Sequence, residues 1–150
     1  MRIKSILAAV TCLVFSSTAS ADLTPWEDFE VSEAVWAVTT VKVDSNMGNA
    51  YLEGLRETWI PGNKIAQELG QIESWSIFRS ELPNSGDFNL LLIVKFAKTE
   101  DLAPNKARYD AFMAKFTQKA ADESTEYAQK NYPAMREITG GYLMREVTIK

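Results

Sequence analysis

Histidine is absent from all 150 residues, and cysteine occurs once, at Cys12. Without histidine there is no His-based catalytic triad, no His-ligated haem and no ordinary zinc site. One cysteine cannot close an internal disulfide, so the fold must rest on its core alone. Carboxylate–oxygen metal sites stay open in principle. The spaced ligands of a calcium loop, however, do not follow Asp44-Ser45-Asn46, which reads as a turn and helix N-cap. The expectation is no metal and no cofactor. Basic residues are also short, 16 against 20 acidic, and form no stripe. Nucleic acid and anionic membrane are therefore poor partners.

The N-terminus carries an address. Arg2 and Lys4 precede an apolar run over residues 6–15, and Ala19-Ser20-Ala21 is a small-x-small cleavage site. The run is too short to span a bilayer. Lipid attachment at Cys12 is disfavoured, because Thr11 is a poor cleavage residue and the apolar run continues beyond it. The pattern predicts a signal peptide over residues 1–21, a mature chain from Asp22, and a secreted or periplasmic protein. Its removal takes Cys12, two basic residues and no acidic ones, moving the net charge from −4 to −6. The remaining 129 residues suit one domain with one core. Residues 22–33 read as an irregular acidic lead-in, and 34–150 as a single α+β barrel domain.

Residues 34–43, rich in Val and Thr, read as a strand. Met47, Tyr51, Leu52, Leu55 and Trp59 then recur at helical spacing. Pro61 should kink or break that helix, and Gly70 is a natural C-cap. Two strands follow, 74–82 and 88–97, joined by Pro83-Asn84-Ser85-Gly86-Asp87. A second helical region opens near Pro104. It carries Tyr109, Phe112, Met113 and Phe116, continues to about Lys130, and stops at Pro133. Gly140-Gly141 should turn the chain into a last strand, 142–149. The order βαββαβ predicts a ferredoxin-like fold: a four-stranded antiparallel sheet, ordered 4-1-3-2, with both helices on one face.

The hairpin in the middle has two apolar sides. A five-residue connection pairs Leu82 with Phe88 and Phe78 with Leu92. That puts the serines and Phe78 with Leu90, Leu92 and Val94 toward the helices. Trp75, Ile77, Leu91 and Ile93 then share the other face, where a wet sheet should be polar. An exposed apolar patch of this kind marks an interface or a ligand site. A one-residue slip would swap the faces and leave both apolar.

This pattern resembles the dimeric α+β barrel superfamily, which includes stress-responsive barrel proteins and antibiotic-biosynthesis monooxygenases. The likeness covers nearly all of residues 34–149. The spacing of Tyr51, Trp59-x-Pro61, Gly70 and Trp75 is similar to that of uncharacterised secreted members. The resemblance implies two sheets packed face to face in a homodimer, and a cleft between sheet and helices. It carries over no catalytic residue, and the His ligand of haem-degrading relatives is missing.

Several residues are candidates for a ligand site. Trp75, Arg79 and Lys95 share one face in this register and could receive an anionic or aromatic molecule. The plainer reading is that Trp75 fills the dimer core while Arg79 and Lys95 pair with Glu81 or the partner subunit. Tyr51, Trp59, Tyr109 and Phe112 lie on inward helix faces and could line the helix–sheet cleft, or simply pack. Arg136 and Arg145 flank the last turn and could clamp a carboxylate or phosphate, with salt bridges to Glu137 or Glu146 as the plainer reading. Glu53 and Glu57 fall one helical turn apart on a solvated face. The leading expectation is a homodimeric small-molecule binding module. The alternative is a cofactor-independent monooxygenase or isomerase acting on a small aromatic substrate. A third reading makes the acidic segment 22–32 a docking arm.

Overall fold

The computed structural model describes residues 22–82 and 86–150. The expected signal peptide, with Cys12, and the Pro83-Asn84-Ser85 part of the expected turn lie outside the described residues.

The core sheet holds β2 (Val35–Val43), β3 (Ser74–Arg79), β4 (Leu90–Phe96) and β5 (Arg136–Met144), in the order β3-β4-β2-β5. This is the expected antiparallel order, with the first and third sheet strands in the centre. Helices α1 (Gly48–Glu57), α2 (Trp59–Glu68), α3 (Lys106–Phe116) and α4 (Gln118–Asn131) complete the fold. Val41, Val43, Leu90 and Leu92 of the sheet bury themselves with Tyr51 and Leu55 of α1 and with Tyr132. Full burial of a side chain of this size is worth about 1.5–3 kcal/mol. The predicted α+β, ferredoxin-like fold class is borne out.

The hairpin register differs from expectation by one residue. Phe78 pairs with Leu91, Ile77 with Leu92 and Trp75 with Val94. The strands stop at Arg79 and Leu90, so their connection spans residues 80–89 rather than five residues. The start of β4 is fixed by Asn89, whose side chain accepts from Val43 N at 2.7 Å and donates to Val43 O at 2.8 Å. β4 therefore faces as expected, but β3 is flipped. Trp75 and Ile77 turn toward the helices, and Ser74, Ser76 and Phe78 lie on the open side. The packing reason is plain: Trp75 finds Trp59, ring centroids 5.6 Å apart and nearly perpendicular.

Other boundaries move for local reasons. The break between α1 and α2 falls at Thr58, and Pro61 sits in the first turn of α2. No intrahelical acceptor is needed for an N–H there, so proline costs little. The second helical region breaks at Thr117 (φ 65°), whose hydroxyl caps α4 through Ala120 N. Asn105, not Pro104, caps α3. Asn46 supplies a left-handed turn residue (φ 69°), while the N-cap of α1 is Met47 and has no side-chain cap bond.

The segment expected to be irregular forms β1 (Phe29–Val31), which pairs with β6 (Val147–Ile149) in a separate two-stranded ribbon. The last strand is thus divided, and Gly140-Gly141 lies inside β5 instead of turning into it. A bulge at Thr139, between the Thr40–Gly140 and Val41–Ile138 pairs, absorbs the irregularity.

Candidate functional site

Three regions could carry function. The first is the open sheet face. Alternation along each strand puts Trp36, Val38, Leu91, Ile93, Phe78, Tyr142 and Met144 on the side away from the helices. Phe78, Tyr142 and Met144 are more than half exposed. Tyr142 lies over Gly140, where an added Cβ would stand 2.8 Å from the phenol oxygen. Lys95 is here too, with its Nζ 5.0 Å from the centre of the Trp36 ring and 2.7 Å from Glu73. The expectation that Trp75 and Lys95 share one face is therefore corrected: they lie on opposite sides of the sheet, and the aromatic partner of Lys95 is Trp36. Strand alternation in residues 34–43 was the signal that could have shown it.

The second region is a buried aromatic cluster between α1, α4 and β5. Tyr51 is 1% exposed and meets Tyr132 edge-on at 5.1 Å, and Tyr132 meets Tyr127 at 5.9 Å. Thr58 donates its one hydroxyl hydrogen to Gly54 O at 2.9 Å. Tyr132 must then be the donor in its 2.5 Å contact with Thr58 Oγ1. Arg136 lies over the rings of Tyr132 and Tyr51, at 5.0 and 5.9 Å. Among the described residues its buried Nε has no hydrogen-bond partner, and the side chain makes no salt bridge. The expected pairing with Glu137 is replaced by cation–π contact. Burial pushes the Tyr51 phenol above the ordinary tyrosine range, with the Arg136 charge acting against it. Burial raises Tyr132 as well, opposed by its hydrogen bond to Thr58. Thr58 and Tyr132 were not singled out in the sequence; neither belongs to an apolar stripe.

The third region is a cleft of about 920 Å³ where β2, β3 and β4 meet the start of α1. Lys42, Asp44, Asn49, Arg79, Glu81 and Asn89 are among its lining residues. The Arg79 side chain makes no ion pair or hydrogen bond among the described residues. Its guanidinium lies against Gly48, where an added Cβ would be 3.5 Å from Cζ. Lys42, by contrast, donates to Gly86 O at 2.6 Å.

The remaining candidates do not converge. Arg79 and Lys95 lie at opposite ends of the hairpin, since their partners are Leu90 and Ser74. Trp59 and Trp75 pack against each other. Tyr109 is 60% exposed, so it is not on an inward face. Arg145 does not form a clamp with Arg136. It sits at the far end of β5 and donates to Ser32 O at 2.8 Å, to Glu33 O at 2.7 Å and to the Thr99 hydroxyl. Glu53 and Glu57 both bind Arg56 on the solvated side of α1. Among the described residues no group of acidic or sulfur side chains could hold a metal.

No known family profile matches the chain, and no curated protein sequence does. Solved structures do resemble it. A nipsnap family protein of unknown function from Agrobacterium tumefaciens is 17% identical, covering 79% of this chain and 92% of that one at a TM-score of 0.50. An uncharacterized NIPSNAP-like domain protein from Burkholderia xenovorans is 13% identical, with coverages of 79% and 85% and a TM-score of 0.43. Hydroxynitrile lyase from Passiflora edulis is 15% identical, with coverages of 79% and 95% and a TM-score of 0.40. The fold is α+β and ferredoxin-like. At these identities the likeness extends to the fold alone.

Proposed function

We propose that this chain is a secreted or periplasmic homodimer that binds a small molecule bearing an anionic group. The dimer forms through the open sheet face. Its support is the set Trp36, Val38, Phe78, Leu91, Ile93, Tyr142 and Met144, which no element among the described residues covers. A face-to-face pair is isologous, so one patch serves both subunits. The observation that carries ligand binding is the 920 Å³ cleft with Arg79 at its wall, a cation whose side chain has no ion pair or hydrogen bond among the described residues. Clefts of this size suit small molecules. The leader over residues 1–21 supports the compartment.

Native mass spectrometry of protein purified from its source compartment tests all three parts together. The expected result is twice the mass of a chain starting at Asp22, carrying a small-molecule adduct. The adduct should be lost from R79A. A single-subunit mass at micromolar concentration removes the dimer, and an intact leader removes secretion. An R79A protein with unchanged adduct occupancy removes the role of Arg79. The enzyme alternative has less support, because the Tyr51–Arg136 cluster is closed by its own rings.

A further inference from the structure

The cleft beside Arg79 is walled mostly by polar groups. Among the described residues no aromatic side chain lines it. Of its apolar lining residues, Val43 and Leu90 are buried in the core, which leaves Leu82. The aromatic rings are engaged elsewhere: Trp59 with Trp75, Tyr51 with Tyr132, and Trp36 with Lys95. Sites for aromatic or lipid-like molecules are lined mainly by apolar and aromatic side chains, with a few polar groups fixing orientation. This wall has the opposite balance and suits a hydrophilic ligand.

Charge narrows the class further. The charged lining residues are Lys42 and Arg79 against Asp44 and Glu81, so the wall is neutral overall. Yet its opposite charges do not neutralise one another. Among the described residues, the side chains of Arg79, Asp44 and Glu81 make no ion pair or hydrogen bond. Lys42 donates to Gly86 O at 2.6 Å. The guanidinium of Arg79 lies against Gly48, at the start of α1. Asp44 sits in the turn that leads into the same helix, where its carbonyl accepts from Met47 N at 3.0 Å. A cation and a carboxylate thus stand near one helix start without pairing. A polyanion would meet Asp44 and Glu81 as like charges, and a simple cation would meet Arg79. A molecule that is neutral overall but charged at both ends meets neither penalty. Asn46 and Asn49 also line the cleft, and their side-chain amides have no bond among the described residues. Each offers a donor and an acceptor to an amide or carboxylate.

We propose that the cleft takes a small zwitterion with a free carboxylate and a free ammonium, either a single amino acid or a short peptide. Arg79 receives the carboxylate through its planar fork, and Asp44 and Glu81 receive the ammonium. The inference rests on the anionic-ligand reading of this cleft given above and adds the second charge.

Isothermal titration calorimetry of wild type, R79A and D44N/E81Q tests this. The probes are L-alanine and trialanine, with the N-acetylated and the C-amidated form of each. Wild type should bind the free form of one or both, and the two blocked forms at least tenfold more weakly. D44N/E81Q should erase the preference over the acetylated form, and R79A the preference over the amide. Binding of L-alanine shows an amino-acid site and binding of trialanine alone a peptide site; either upholds the proposal. An acetylated form bound as tightly as the free one, with R79A weakening both, overturns the zwitterion and leaves the anionic-ligand reading standing. An amide bound as tightly as the free form, with R79A unchanged, overturns both. No heat from any probe at millimolar concentration overturns the zwitterion, while an R79A-sensitive adduct in native mass spectrometry would still uphold the anionic ligand. Arg79, Asp44 and Glu81 are exposed, so the variants should keep the wild-type circular dichroism. The blocked probes read the same preference on wild type without any substitution.

Discussion

Gly54 and Gly62 make a matched pair whose alanine variants should move stability in opposite directions. Both lie inside helices, α1 and α2. On helix propensity alone, each Gly→Ala change gains about 1 kcal/mol. At Gly62 the nearest atom to the new Cβ is Phe112 Cζ at 3.7 Å, ordinary contact, so the gain is kept. At Gly54 the new Cβ would stand 2.9 Å from Cε1 of both Tyr127 and Tyr132, and 3.2 Å from Tyr127 Oη. Tyr132 cannot swing away freely. Its hydroxyl is bonded to Thr58, and its ring is wedged between Tyr51 and Tyr127. Overpacking of this sort costs about 1–3 kcal/mol, and breaking the Tyr132–Thr58 bond adds about 1 kcal/mol. After subtracting the helix gain, G54A should be destabilised by about 1–3 kcal/mol. G62A should be stabilised by about 1 kcal/mol. Urea denaturation, with m-values compared, reads both. For a chain of this length each kcal/mol moves Tm by about 3–5 °C. Equal stabilisation of the two variants would refute the closure of the tyrosine rings over Gly54.

Three further outcomes follow from the cluster and the ribbon. Tyr51 and Tyr132 are held above the ordinary tyrosine pKa, so the neutral phenols favour the folded state. That stability is present in full below the unfolded-state value of about 10 and is lost as pH rises through the raised folded values. Y51F should flatten the alkaline loss of stability in pH-dependent denaturation, and an unchanged profile would exclude Tyr51 as its source. R136M should cost about 1–2 kcal/mol in lost cation–π contact. It should also raise the Tyr51 pKa further, because the cation opposing the burial effect is gone. Ultraviolet titration of the phenols reads the shift, and a fall would contradict it. R145A should leave global stability nearly unchanged but remove amide protection from residues 29–31 and 147–149 in hydrogen exchange. Persistence of that protection would show that the Arg145 bonds do not hold the ribbon.

The element order and the sheet topology were legible in the chain because they depend on local periodicity and on short, non-crossing connections. Leu90, Leu92 and Val94 could be assigned to the helix side for the same reason. β3 could not be placed, because both of its sides are partly apolar and alternation alone does not choose between them. The choice came from Trp59, a residue on a helix, offering Trp75 a ring to pack against. Likewise Arg136 was visible as a candidate, but its setting was not. Tyr51, Tyr127, Tyr132 and Thr58 come from separate parts of the chain, and only folding brings them around it.

The sequence by itself determined the α+β class, the strand order, the apolar surplus on the sheet and the absence of histidine or thiol chemistry in residues 22–150. Each depends on which residues are present or on their spacing along a few turns. Only the tertiary structure decided which side of β3 faces the helices, where Arg79, Lys95, Arg136 and Arg145 end up, and that residues 29–31 and 147–149 meet in a ribbon. Those are pairings between distant segments. Their register turns on single contacts, such as Asn89 with Val43 and Trp75 with Trp59, which no local pattern encodes.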